Sequence, residues 1–229
     1  MKIFVFVMIF LLALPSSVHA QLAKVVPVDE AQADVELRTF RDQLLEAVVT
    51  RDIDYIVSIA APDILLDFGS GMGQEELRLR LTEGRRFYSE DENPEDYIRH
   101  REALWLGFES ALRLGGVYDA ENREFVAPHY FAADLGDLSY DPFFTYFTIA
   151  QNVTVRDRPN RYGTVIDRLD YELVERLDGG DGTSYARVQL ERGRTGWVHK
   201  DLLRSAVDYR AIFEKHDGKW IMTVLIAGD

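Results

Sequence analysis

Asn152-Val153-Thr154-Val155-Arg156-Asp157-Arg158-Pro159 and, further on, Gly193-Arg194-Thr195-Gly196-Trp197-Val198 decide how the chain is read. Both alternate apolar and polar residues, the period of a half-buried strand. Similar short runs at 163–169, 171–177 and 186–190 lie between them. They are parted by Pro159-Asn160, Asp178-Gly179-Gly180-Asp181-Gly182 and Glu191-Arg192-Gly193-Arg194, residue types that supply turns. Strands of this length and punctuation predict a small all-β barrel over residues 148–206.

The flanks read differently. Downstream, two alternating runs, 209–214 and 220–226, face each other across Asp217-Gly218, a strong hairpin signal. A lone hairpin is marginal in water, so residues 207–229 must pack on something. Ile64-Leu65-Leu66-Asp67-Phe68 is the expected partner. Upstream, residues 21–147 read as a mainly helical acidic unit. Leu37, Phe40, Leu44, Leu45 and Val48 share one face of a helix beginning at Val35. Further helices are expected over 54–61, stopped before Pro62, over 75–81, and over 97–114, closed by Gly115-Gly116. Residues 21–34 read as a mobile leader. The expected fold class is therefore α+β: a helical N-terminal unit, then a small all-β barrel, then a C-terminal β-hairpin.

Met1-Lys2, the apolar run from Ile3 to Leu14, Pro15-Ser16-Ser17 and the small residues Val18 and Ala20 have the layout of a secretory signal peptide, with cleavage after Ala20. That run is shorter than the roughly 20 residues of a spanning helix. The expectation is export to the periplasm or beyond, with no membrane span after cleavage.

The 229 residues are 47% hydrophobic and 28% charged, a composition that folds. Absence of cysteine excludes disulfides, thiolate catalysis and cysteine-built zinc sites. A net charge of −13 argues against nucleic acid as partner. Residues 21–147 carry 12 basic and 26 acidic side chains, whereas 148–206 carry 10 and 9. Two units with different surfaces would produce such an asymmetry.

The segments Asn152-Val153-Thr154-Val155-Arg156, Gly163-Thr164-Val165-Ile166 and Gly193-Arg194-Thr195-Gly196-Trp197-Val198, with the turn Lys200-Asp201-Leu202-Leu203, resemble the bacterial SH3-like (SH3b) domain family over residues 150–204. The resemblance implies an SH3-like barrel without catalysis of its own, in an exported or envelope protein, tethering a neighbour to peptidoglycan or to another protein. A looser similarity links the helix–helix–strand start and the Asp217-Gly218-Lys219-Trp220 ending to the NTF2-like cone fold, whose long middle strands are missing here.

The candidate ligand-binding residues are Tyr162, Trp197, Tyr171, Tyr185, Arg158 and Arg161, because aromatic faces stack on sugars or grip peptides and guanidinium groups pair with carboxylates. For Trp197 and Tyr185 the rival role is core packing. Other constellations carry less. Gly69-Ser70-Gly71-Met72-Gly73 lacks the third glycine of a dinucleotide fingerprint and the Lys-Ser/Thr of a P-loop, and reads as a plain turn. Glu109-Ser110 shares one dipeptide with lytic transglycosylases and nothing around it. His100, His129, His199 and His216 have no zinc-binding spacing. The loops 90–96 and 178–181 lack the spaced ligands of a calcium loop. No Gly-x-Ser-x-Gly elbow is present.

No cofactor and no metal is expected. The leading functional expectation is a non-enzymatic envelope protein that binds peptidoglycan or an envelope protein. The competing one is a peptidoglycan hydrolase with its active site in the N-terminal unit. A third is an interaction subunit that offers the C-terminal hairpin as an edge for strand addition.

Overall fold

The computed structural model describes residues 23–85, 93–132, 141–190 and 193–228. The signal-peptide segment, residues 90–92 of the acidic loop and the Glu191-Arg192 turn lie outside them. The helices are α1 (Val35–Thr50), α2 (Ile53–Ser58), α3 (Gln74–Thr82) and α4 (Pro94–Arg113). The strands are β1 (Ala60–Leu65), β2 (Val117–Asp119), β3 (Glu124–Ala127), β4 (Thr145–Thr148), β5 (Val153–Arg156), β6 (Val165–Leu169), β7 (Leu173–Leu177), β8 (Tyr185–Gln189), β9 (Thr195–His199), β10 (Leu203–Ser205), β11 (Arg210–His216) and β12 (Lys219–Ile226).

Local chemistry places the helices. The Asp34 carboxylate caps α1 by accepting from the Glu36 and Leu37 N–H groups. Asp52 does the same for α2 through Tyr55 N–H, and Asn93 with Pro94 opens α4. The helix expected over 54–61 is shorter than that: α2 ends at Ser58, and Ala60 and Ala61 with Pro62 lie inside β1, an edge strand, where a missing N–H is tolerated.

The five-stranded sheet runs β1-β12-β11-β3-β2, with β1 parallel to β12 and the rest antiparallel. Leu44, Ile56, Ile64, Leu77, Phe108, Phe125, Phe213, Met222 and Leu225 form its core with the helices. The seven-stranded sheet runs β10-β4-β7-β8-β9-β5-β6 and packs its own core of Val153, Val155, Val174, Ala186, Val188 and Val198.

This architecture corrects the expected fold class. The chain is α+β with two large open sheets, not a helical unit followed by a small SH3-like barrel. Strands β1, β2 and β3 join the helices of the N-terminal region to the five-stranded sheet that β11 and β12 complete. Strand β4, expected within the acidic N-terminal unit, pairs with β7 and β10 and so belongs to the other sheet. The barrel does not close because β4 and β10 add beyond β7 while β6 stays an edge. The outward Arg168 N–H of that edge is taken by the Asp167 carboxylate (2.8 Å), a charged device that blunts strand addition. The C-terminal hairpin offers no edge either: β12 lies between β1 and β11, and β11 between β12 and β3.

Residues 23–34 are a strap rather than a mobile leader. Lys24 bridges Glu172, and Val25 N–H donates to Tyr171 C=O at the seven-stranded sheet. Gly116 N–H then donates to Val28 C=O, Glu30 N–H donates to Gly116 C=O, and Asp29 pairs with the buried Arg41 at the five-stranded sheet. The strap thereby ties one sheet to the other. Arg204 of β10 adds a second tie, its Nη2 donating to the Gly107 carbonyl of α4 (3.5 Å).

Candidate functional site

In the seven-stranded sheet, alternation sends Val155, Val188 and Val198 inward and their neighbours outward. Register then aligns the outward residues, because directly paired antiparallel residues share a face. Arg156 pairs with Trp197, and Trp197 with Arg187, so one tryptophan lies between two guanidinium-bearing side chains. Arg168 stands on the same face, opposite Thr154.

These arginines are held without being neutralised. Arg156 Nη1 donates to Gly163 C=O (2.7 Å), Arg187 Nη2 to Thr195 Oγ1 (3.2 Å) and Arg168 Nη1 to Asn152 Oδ1 (2.8 Å). Among the described residues none of the three has a carboxylate within ion-pair distance, whereas Arg194 and Arg158 pair with Asp167 and Asp157. The half-buried Trp197 ring is walled by Gly179 and Gly180, both at positive φ; a Cβ at Gly180 would sit 2.8 Å from its Cζ3. A side chain at Gly180 would therefore displace that wall. Tyr185 and His199, paired at the next position along this face, meet edge to face at 5.1 Å.

The sequence candidates separate into three places. Trp197 and Tyr185 lie on the outer face just described. Tyr162, Arg158 and Arg161 share the β5–β6 loop, which Arg156 ties to the row through Gly163. Tyr162 is 76% exposed and carries the Arg161 guanidinium 4.7 Å above its ring. Tyr171 is at the far end of β6 in the turn to β7, with its carbonyl engaged by the strap. Sequence reasoning missed Arg156, Arg168 and Arg187. Their signal was present as the polar half of the alternation, but only the register shows that they flank Trp197.

Other features resolve into structure. The glycine-rich loop cradles an anion that is the chain's own: Gly69 and Gly71 N–H groups donate to Asp67 Oδ1. Arg80 completes this network, binding Asp67, the buried Glu76 and Leu66 C=O. Burial pushes the Asp67 carboxyl up, but Arg80 and the two backbone donors outweigh it and hold the group below the usual range. Glu109 pairs with Arg113 on the exposed side of α4. Among the described residues no group of three or more His, Asp or Glu is placed to hold a metal, and no helix is long and apolar enough to cross a membrane.

A second concave region surrounds Trp220. A cleft of about 470 Å³ there is lined by Asp34, Tyr118, Arg123, Glu214, Lys215 and Trp220, among others. Above it Asp119, Glu124 and Glu214 stand side by side across β2, β3 and β11. Burial, then Glu214 and Asp119, raise the Glu124 carboxyl above its usual value. No family model matches the chain, and no curated protein or solved structure is similar to it.

Proposed function

We propose that the protein is an exported cell-envelope binding protein, without catalysis of its own, that engages peptidoglycan or an envelope protein through residues 148–206. The observation that carries this reading is the Arg156–Trp197–Arg187 row. Guanidinium groups without carboxylate partners suit the carboxylates of a peptide stem, and an indole face suits a sugar ring or an apolar side chain. The resemblance to the SH3b family over the same residues points to the same class of ligand.

Co-sedimentation of residues 21–229 with purified peptidoglycan sacculi at two salt concentrations tests it. The expected result is binding that survives the higher salt and falls about tenfold in Arg187→Ala and in Trp197→Ala, the scale of one lost charge-assisted bond or aromatic contact. Tyr162→Ala, in the adjoining loop, measures how far the surface extends. Absence of sedimentation at both salts removes the wall as ligand and leaves the envelope protein. The hydrolase reading has one observation in its favour, that Asp34 and Glu214 line a common cleft. Release of soluble fragments from sacculi, abolished by Glu214→Gln, would select it.

A further inference from the structure

Beside the 470 Å³ cleft and sharing Asp34, Tyr118 and Trp220 with it is a cavity of about 400 Å³ lined by Glu30, Ala33, Asp34, Leu37, Tyr118 and Trp220. Its walls come from three places in the sequence: the strap running into the first turn of α1, strand β2, and strand β12. Two aromatic rings and two carboxylates face it, and no Lys or Arg lines it.

Both carboxylates are fixed in place with capacity to spare. Glu30 Oε2 accepts from Tyr118 N–H (2.6 Å), and Asp34 Oδ1 accepts from the Glu36 and Leu37 N–H groups. The second oxygen of each has no partner among the described residues. The indole already has one cation near it, for Lys215 Nζ lies 6.0 Å from the Trp220 ring centroid. That lysine is drawn aside by its ion pair with Glu36 and lines the neighbouring cleft, not this cavity.

From these residues we infer that the cavity binds a small organic cation, an ammonium group on a short apolar body. The ammonium sits at Glu30 and Asp34, and the body lies against Leu37, Tyr118 and Trp220. An anion would meet two carboxylates, with Lys215 committed to Glu36 on the cleft side, and a purely apolar guest would bury those carboxylates unpaired. The volume falls within the range of roughly 300–1,000 Å³ typical of small-molecule sites. This inference is independent of the wall-binding proposal, since it involves a different sheet.

The test is calorimetric titration of residues 21–229 with choline, with butylammonium, and with 3,3-dimethyl-1-butanol, the uncharged isostere of choline. At least one of the two cations should bind about tenfold more tightly than the alcohol, and a Glu30→Gln/Asp34→Asn variant should lose that difference. Gln and Asn keep the bonds to Tyr118 N–H and the α1 cap, so the variant changes charge and leaves those anchors. Tyr118→Ala, at a residue 46% exposed, should weaken cation binding about tenfold with the fold intact, and it decides the matter if the double variant does not fold. Equal binding of cation and alcohol, binding by neither cation, or full binding by the variants overturns the inference.

Discussion

Arg80 and Arg187 are the same residue put to opposite uses. Arg80 is buried in the five-stranded layer, where its guanidinium satisfies Glu76, Asp67 and the Leu66 carbonyl at once. Arg187 stands exposed on the seven-stranded sheet with one hydroxyl as its partner. A charge that is fully matched inside the fold has nothing left for a ligand, and a charge that is unmatched at a surface costs little to keep in water. Arg80 is thus committed within its own layer, whereas Arg187 is presented to whatever approaches.

Removing each arginine breaks the comparison most sharply. Arg80→Met removes the Arg80 ion pair from Glu76, which is 1% exposed. The expected loss is about 3–5 kcal/mol, a fall in melting temperature of roughly 10 °C for a chain of this size. Arg187→Met should change stability by less than about 0.5 kcal/mol. Thermal melts of both variants, set beside sacculus binding by Arg187→Met, separate the roles: one variant loses the fold, the other only the ligand. Equal melts would mean that the Arg80 network is not holding the layer.

Gly71→Ala probes the same network from the backbone side. A Cβ there would lie 2.1 Å from both Arg80 Nη2 and Asp67 Oδ2, so the pair must part or the loop must move. A loss of about 1–3 kcal/mol is expected, the usual cost of overpacking. A melt within error of the parent would show that the loop yields freely.

Most strands of residues 148–206 were legible because period-two alternation is a local property. Their partners were not. The C-terminal hairpin's need of a partner did point to the Ile64–Phe68 run, but the parallel sense and the Ala60–Leu65 bounds of that pairing leave no local mark. Phe143-Phe144-Thr145-Tyr146-Phe147 reads as buried without showing which sheet buries it. A barrel and an open sheet share one alternation and differ only in which edges meet. The candidate site suffered in the same way. Trp197 and Tyr185 drew notice as aromatics, but Arg156 and Arg187 acquire meaning only from register. Glu30 and Asp34 are close in sequence, but Tyr118 and Trp220 reach them from two distant sheet strands, so no spacing pattern could bring the four forward together.

Acid sharpens the comparison further. Since the folded Asp67 carboxyl is held below its usual value, the stability it contributes is complete above about pH 4, the unfolded value. It is lost as pH falls from there through the folded value. The gap in melting temperature between the parent and Asp67→Asn should be full at pH 6 and shrink below pH 4. The gap between the parent and Arg187→Met should stay near zero across the same range. A pH-independent gap for Asp67→Asn would mean that its ion pair with Arg80 contributes nothing.

The smallest effect comes from a place in the acidic layer where like charges face one another. Asp119, Glu124 and Glu214 are direct cross-strand neighbours, an arrangement in which like charges repel. Burial and these neighbours raise the folded Glu124 value, so its charged form is the disfavoured one. The penalty is absent below about pH 4.3, the unfolded value, and is complete once pH has passed the folded value. Glu124→Gln should therefore stabilise at neutral pH, by about 0.2–1 kcal/mol or a degree or two in melting temperature, and make no difference near pH 4. A gain that persists in acid would trace to packing instead of charge. A loss at neutral pH would mean that Glu124 has a stabilising partner that outweighs its acidic neighbours.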